Sequence, residues 1–444
     1  MISLRLKREM GRNILVPIII DVEYNIESVK EALMEVTSQR AIGALSGLIR
    51  SLGAPELLDA YLQRGYVHDI QLPSFRLLST FSTKEAIGKL NDMPGIRNIH
   101  FDMNKAAPPR LPYLPSPLLV GFGILGGERT EGWFGTKDVH GLLGVDVAHE
   151  EGYTAENIKI AVIDTGVHRQ HRQLLGTRTR ATSVLPVARL LERAVGDSSG
   201  HGSWCVTCIN GREQEVMEGI IVKGLTNAEV LSIRALFTPL GTGKDSDVLK
   251  AMSIAYEDGV DIISMSLGGG CEGPGCLTCA AVRDLSAKNV IMCIAAGNEG
   301  LPNSVACPGK EPSAITVGSV SIMDGSRSYF SSMGPAVDCA VYGGGRAAAE
   351  AKPEEYIYSG VSPYSLLDTL IDHRRSGYGL LAGTSMATPM MAAMVALWDD
   401  YYVKSTGYHL TPMDIHNILL QFGHNHSVED GYGVPKFDWI KGYV

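Results

Sequence analysis

No apolar run in this sequence approaches the roughly 18 residues that a membrane-crossing helix needs. The longest candidate, Leu118 to Leu125, is far shorter, so no bilayer span is expected. An export signal of the usual form is lacking too. Arg5, Lys7, Arg8 and Arg12 precede the apolar stretch Asn13 to Ile20, but Asp21-Val22-Glu23 follows where small cleavage-site residues belong. That stretch reads as a buried strand, and the protein as cytoplasmic, with secretion as the alternative. Positive charge is scarce: 39 Lys+Arg against 48 Asp+Glu leave a net charge of −9, which argues against nucleic acid as a partner. Eight cysteines in 444 residues are too sparse for a small disulfide-stapled scaffold. Internal repeats and low-complexity tracts are absent. What is present, 45% hydrophobic and 20% charged residues, is an ordinary globular balance, enough for one large core plus a small domain.

The densest local signal is Gly383-Thr384-Ser385-Met386-Ala387-Thr388-Pro389, followed by apolar residues at helical spacing: Met391, Met394, Val395 and Trp398. Small residues leading into one serine place Ser385 at a helix start, facing free backbone N–H groups and the positive end of the dipole. An N-cap on an ordinary buried helix would look much the same. Three further stretches separate the readings: Ile160-Ala161-Val162-Ile163-Asp164-Thr165-Gly166, Gly200-His201-Gly202-Ser203, and Ala295-Ala296-Gly297-Asn298-Glu299-Gly300. In sequence and in order these four motifs resemble those of the subtilisin-like serine proteases, the subtilases.

The resemblance implies a serine endopeptidase acting on protein or peptide substrates, with no cofactor required for the chemistry. It makes Ser385 the nucleophile, His201 its general base and Asp164 the residue that orients His201. Asn298 becomes the side-chain donor of the oxyanion hole, with the Ser385 N–H as its partner. Ser266, Leu267 and Gly268 match a family strand that pairs with substrate, and Gly241, Thr242 and Gly243 its opposing edge. Ala295, Ala296 and Gly297 would form a pocket wall, and Ala306 to Gly309 its floor, with Glu299 at the rim positioned to favour a basic side chain. The same acyl-enzyme would serve a peptide ligase, and a permanently blocked groove would make a binding protein.

Apolar strands alternating with helical patterns, at Ile158–Ile163, Val230–Ala235, Val260–Met265, Val290–Ala295 and Ala314–Val320, predict an α/β fold with a parallel sheet covered by helices over 133–444. Residues 1–105 read as a small ferredoxin-like β-α-β-β-α-β unit. Its last helix, Pro-Gly and strand resemble the subtilase propeptide, which implies an intramolecular inhibitor and folding chaperone. A proline-rich linker, 106–132, joins the two. Arg110-Leu111-Pro112-Tyr113 within it resembles the proline-bearing segment that intracellular subtilisins lay across their active site.

Several stretches depart from the family pattern. His168 stands where aspartate is usual, Trp204-Cys205 follow Gly202-Ser203 in place of His-Val, and Ala306 replaces a common glycine, which makes the pocket shallower. Asn210 to Lys223 does not preserve the family's calcium loop, although Glu213, Glu215 and Glu218 supply carboxylates, so structural calcium stays open and no metal ligands are assigned. Cys271, Cys276 and Cys279 form a C-x4-C-x2-C cluster that would suit a structural zinc if one more ligand folds in. Reduced thiols or a loop disulfide are the alternatives. The stretch 343–378 is longer than the family link and reads as a lid or partner surface.

Overall fold

The computed structural model describes residues 16–24, 26–36, 66–107, 132–185, 196–237, 241–271, 273–345, 355–365 and 376–444, with Lys7 and Met10 isolated before them. Most of the expected linker, including the motif at 110–113, residues 37–65 of the stretch 26–65 that the sequence reading makes largely helical, and much of 343–378 lie outside the described residues.

The N-terminal part is built from β1 (Val16–Val22), α1 (Ile26–Val36), β2 (His68–Leu72), β3 (Phe75–Ser82), α2 (Lys84–Asn91) and β4 (Ile96–Phe101). These strands form one antiparallel sheet in the order β2-β3-β1-β4. Strand β1 reads as continuously apolar because both of its faces are covered. Ile18 and Ile20 join Val29, Leu33, Ile87 and Leu90 in the core of this unit. Ile19, pointing the other way, joins Ile70, Leu72 and Leu77 in a second core shared with the rest of the chain. Helix α2 starts where Thr83 accepts a hydrogen bond from the Ala86 amide, as its N-cap signal predicts.

A short strand, β5 (Asn104–Ala106), then leaves this unit altogether. The sequence reading ends the last strand at Met103 and begins an extended linker near Ala106. Instead the chain breaks after Phe101 and pairs again elsewhere.

The larger part follows the predicted alternation. In chain order it contributes β6 (Lys159–Asp164), β7 (Thr179–Ser183), α3 (His201–Asn210), β8 (Glu229–Arg234), β9 (Thr242–Lys244), α4 (Asp245–Glu257), β10 (Ile262–Met265), β11 (Gly268–Gly269), α5 (Leu277–Ser286), β12 (Ile291–Ala295), β13 (Ile315–Val320), β14 (Cys339–Tyr342) and α6 (Thr384–Thr406). Seven strands form a parallel sheet in the order β14-β13-β12-β10-β6-β8-β7. Ile160 and Val162 face α3 and α6, and Ala161 and Ile163 face α4 and α5, so β6 is apolar on both sides, whereas the edge strand β7, Thr-Arg-Ala-Thr-Ser, is largely polar and partly exposed. Strands β7 and β14 extend the five strands read from the sequence. From β6 the order builds outward in both directions, so the topological switch lies beside β6. The crevice at the carboxyl ends of the strands therefore opens where Asp164 stands.

The N-terminal sheet lies on α4 and α5. Ile19, Ile70, Leu72 and Leu77 pack with Val248, Leu249, Val282 and Leu285. Polar contacts fix the register: Asp102 accepts from the Ser246 amide at 3.0 Å and its hydroxyl at 2.7 Å, His68 meets Asp247 at 2.8 Å, and Asp284 accepts from the Ser74 amide and hydroxyl. Asp102 thus caps the start of α4 from outside, where a carboxylate is favoured by the helix dipole.

Candidate active site

Asp164 is the last residue of β6 and is fully buried. Its two carboxylate oxygens lie 2.8 and 3.0 Å from Nδ1 of His201, and Oδ1 also accepts from the Thr165 amide. His201 opens α3 after Gly200, whose φ of 94° is in the left-handed region that glycine tolerates. Burial pushes the His201 pKa down, but the charge and hydrogen bond of Asp164, with Asp197 behind it, outweigh burial and leave it raised. Nε2 of His201 has no hydrogen-bond partner among the described residues.

Ser385 is the second residue of α6, after the N-cap Gly383. Its hydroxyl donates to the Ser266 carbonyl at 3.3 Å rather than to His201. Pro389 lies deeper in α6 than the first turn and shapes this corner. Lacking an N–H, it leaves the Ser385 carbonyl without a helical partner. The hydroxyl of Ser266 donates to that carbonyl at 2.8 Å, and the Cys205 thiol lies 3.6 Å away. Cys205 is buried beneath the histidine, as its position after His201 suggests.

Asn298 follows β12 across Ala296-Gly297. Its Oδ1 accepts from the Thr384 amide at 2.9 Å and hydroxyl at 3.0 Å, which fixes the carboxamide. A Cβ placed on Gly383 would sit 3.3 Å from Asn298 Nδ2 and 3.6 Å from the Ser385 amide nitrogen. Two N–H donors therefore flank one small space that the absence of a side chain at Gly383 keeps open.

The residues expected to pair with substrate come together, with a strand between them. β5 lies between β9 and β11, antiparallel to both. Ala106 pairs with Thr242 and Gly268, Lys105 with Gly243 and Gly269, and the Ala107 amide donates to the Gly241 carbonyl at 2.9 Å. A side chain on Gly269 would meet the Asn104 carbonyl at 2.9 Å, so glycine permits this approach. Leu267 is buried in the core beneath. The methyl of Ala306 lies 2.7 Å and 3.3 Å from where a Cβ would stand on Gly268 and Gly297, so it narrows the space between the two walls. Ala296 pairs with Ala306 and Ala295 ends β12 behind them, while Glu299 is exposed at the rim.

Two residues of this site are not among those singled out from the sequence. Asp197, fully buried, accepts from the amides of Ser199, Gly200 and Ser203 and from the hydroxyls of Thr165 and Ser203. It anchors the first turn of α3 and so holds His201; an aspartate followed by small residues before a helix was the available signal. Lys105 is fully buried, its Nζ 2.8 Å from the Gly270 carbonyl and 3.2 Å from Asp245. A lone lysine between the last predicted strand and the predicted linker gave no hint of this.

The calcium ligands considered do not assemble. Glu213, Glu215 and Glu218 are exposed along a hairpin, where Glu213 pairs with Lys223 at 3.4 Å and Glu215 accepts from the Gly219 amide. Among the described residues none of them belongs to a convergent ligand group. Trp204 is spent on packing, its indole N–H donating to the Ile357 carbonyl, and His168 stacks edge-on against Tyr364.

The sequence profile of the Subtilase family matches residues 155–434. The chain is 31% identical over 252 residues to subtilisin of Bacillus pumilus, covering 56% of this chain and 79% of that protein. It is similarly 31% identical to subtilisin NAT of Bacillus subtilis subsp. natto, of which it spans 57%. To the major intracellular serine protease of Bacillus subtilis it is 28% identical over 275 residues, 61% of this chain and 77% of that one.

Proposed function

Since the chain belongs to the Subtilase family of serine endopeptidases, we propose that it cleaves peptide bonds through Asp164, His201 and Ser385, and that residues 1–107 block its cleft until they are released. The observation that carries this reading is β5: a stretch of extended chain held by backbone pairing on both sides, as a peptide substrate would be. Its exit at Ala107 lies beside Gly241, which itself faces Thr165 next to Asp164.

In this mechanism Ser385 Oγ exchanges the Ser266 carbonyl for His201 Nε2 once substrate is seated, since catalytic hydrogen bonds often tighten only then. His201 takes the hydroxyl proton as Oγ attacks the carbonyl carbon, and Asp164 stabilises the resulting imidazolium. The oxyanion settles between Asn298 Nδ2 and the Ser385 amide. His201 then protonates the leaving amine, and water repeats the sequence on the acyl-enzyme. Side chains and backbone groups alone are called upon. The seat of Lys105 on Gly270 and Asp245 sets the substrate class: an extended peptide with a basic side chain at that position.

A serine-directed phosphonate should label Ser385, rapidly once residues 1–107 have been removed. Peptide products should carry the mass of added water. A ligated product without that mass assigns the acyl-enzyme to transfer, and an unlabelled Ser385 removes the enzymatic reading.

Asn298→Ala is expected to lower kcat by about 10²–10³, the scale known for this donor in subtilisin, with KM little changed. The donor acts on charge that exists only in the transition state. An equal rise in KM would make Asn298 a structural residue, holding Thr384 alone.

Docking of the N-terminal segment should weaken as pH rises. Burial pushes the Asp102 carboxyl up to about 7; hydrogen bonds from Ser246 oppose this, and the neighbouring charges of Asp247 and Asp245 add to it. An acid whose pKa is higher docked than free takes up a proton on docking. The docked state is therefore most favoured below pH 4, loses ground between about 4 and 7, and levels off above. Lys105 and His68 are the other charged or titratable groups facing this helix end. The inhibition constant of residues 1–107 should rise across that window, and Asp102→Asn should flatten the curve. A profile identical in both proteins would assign the pH dependence elsewhere.

A further inference from the structure

The four sulfur atoms of Cys271, Cys276, Cys279 and Cys307 all lie within 4.8 Å of one another. Cys276 and Cys279 stand 3.2 and 3.4 Å from Cys307. A tetrahedral zinc with bonds of about 2.3 Å to sulfur places its ligands about 3.8 Å apart. The two Cys307 spacings are about 0.5 Å shorter than that edge, the 4.8 Å limit on the whole group includes it, and both spacings are well beyond the roughly 2.05 Å of a disulfide bond. The fourth ligand missing from the C-x4-C-x2-C pattern is thus Cys307, 28 residues beyond Cys279.

The surroundings fit a cation held by thiolates. Cys276 is the N-cap of α5 and Cys279 lies in its first turn, where the helix dipole favours negative sulfur. Cys271 and Cys279 are half-exposed, which leaves an entry path, whereas Cys205, Cys208, Cys293 and Cys339 are each sealed in the core. Zinc with four thiolates carries a net charge of −2. The Lys105 ammonium, bonded to the carbonyl of Gly270 next to Cys271, supplies opposite charge at close range.

We propose that Cys271, Cys276, Cys279 and Cys307 form a structural zinc site that fastens the substrate-pairing strand to the floor of the specificity pocket. Each thiol gives up its proton to solvent as zinc binds, and no electron changes hands. The site connects two backbone segments already paired: Gly269 and Cys307 exchange hydrogen bonds at 3.0 and 3.1 Å. Gly268–Gly269 is β11, on which β5 lies, and Ala306 precedes Cys307. Closing the sulfur cluster with a metal therefore fixes the distance between the strand that pairs with the peptide backbone and the loop that limits its side chain.

The test reads metal rather than activity. The full chain, purified without chelator, is expected to carry one zinc per molecule through gel filtration. Cobalt exchanged for zinc should show thiolate charge-transfer absorption and the ligand-field bands of a tetrahedral site. Cys307→Ser and Cys279→Ser should lose the metal, while Cys208→Ala should retain it. Should the serine variants fail to fold, the parent chain still decides: four thiols should resist a thiol reagent until a strong chelator is added. Chelation should also speed hydrogen exchange at the Gly268–Gly270 amides. A folded parent chain that holds no zinc after incubation with the metal, or one whose peptide map shows a disulfide within the four, overturns the proposal.

Discussion

Ser385→Ala should lower kcat by about 10⁶, the scale known for the corresponding group in subtilisin, while its melting temperature stays near that of the parent. The two halves of this expectation have separate causes. Activity collapses because the hydroxyl is the atom that bonds to the substrate; without it, His201 has no proton to accept and the oxyanion space between Asn298 and the Ser385 amide stabilises nothing covalent. Stability changes little because Oγ makes one hydrogen bond, to the Ser266 carbonyl at 3.3 Å, worth about 1 kcal/mol or less at that length. The contacts that hold the corner, from Ser266 Oγ to the Ser385 carbonyl and from Thr384 to Asn298, involve other atoms and survive the change. Steady-state hydrolysis and thermal unfolding on the same preparation provide the check. Parent-like turnover in pure Ser385→Ala would dismiss the triad, and a large loss of stability would mean the serine is there to hold the turn.

Removal of the N-terminal segment should have the next largest effect, on folding as well as activity. A chain beginning at residue 132 is expected to refold poorly from denaturant, and residues 1–107 added in trans should both rescue refolding and inhibit the product. The seven-stranded parallel sheet joins strands far apart in sequence, so loop closure must precede any favourable contact. The N-terminal sheet offers a preformed apolar face, Ile19, Ile70, Leu72 and Leu77, on which α4 and α5 can assemble. Asp102 and Ser74 then fix those helices through Ser246 and Asp284. Inhibition should depend on Lys105 in particular. Replacing it by glutamate sets two carboxylates together in a buried seat, and breaking a buried ion pair costs about 3–5 kcal/mol, or about 10²–10⁴ in affinity. Rescue of folding should persist in K105E, because the apolar face is untouched. A truncated chain that refolds as readily as the parent, indifferent to the added segment, would sink this account of residues 1–107.

Each candidate catalytic motif was legible because it is local. Asp164 ends an apolar strand, His201 follows a left-handed glycine at a helix start, and Ser385 follows Gly383 at another. Strand, turn and helix start occupy a dozen residues, and short-range sterics and hydrogen bonding impose the residue types that mark them. The parallel sheet was legible for a related reason: strands covered on both faces must be apolar throughout, and Ile158–Ile163 or Val290–Ala295 carry that mark whatever their neighbours are.

The sequence by itself therefore determined the α/β architecture, the chain order of the candidate catalytic groups, and the β-α-β-β-α-β pattern at the N-terminus. Three things were decided only by tertiary structure. Asn104-Lys105-Ala106 has no periodicity of its own; it is a strand because β9 and β11 offer unpaired backbone on both sides. Asp197 is buried because the turn around it presents three amides and two hydroxyls, a set of donors that no single stretch displays. Cys307 meets the C-x4-C-x2-C cluster because Gly269 pairs with it across the floor of the pocket. In each case the partner lies far along the chain, and proximity is set by how the sheet stacks its loops, which local residue preferences do not encode.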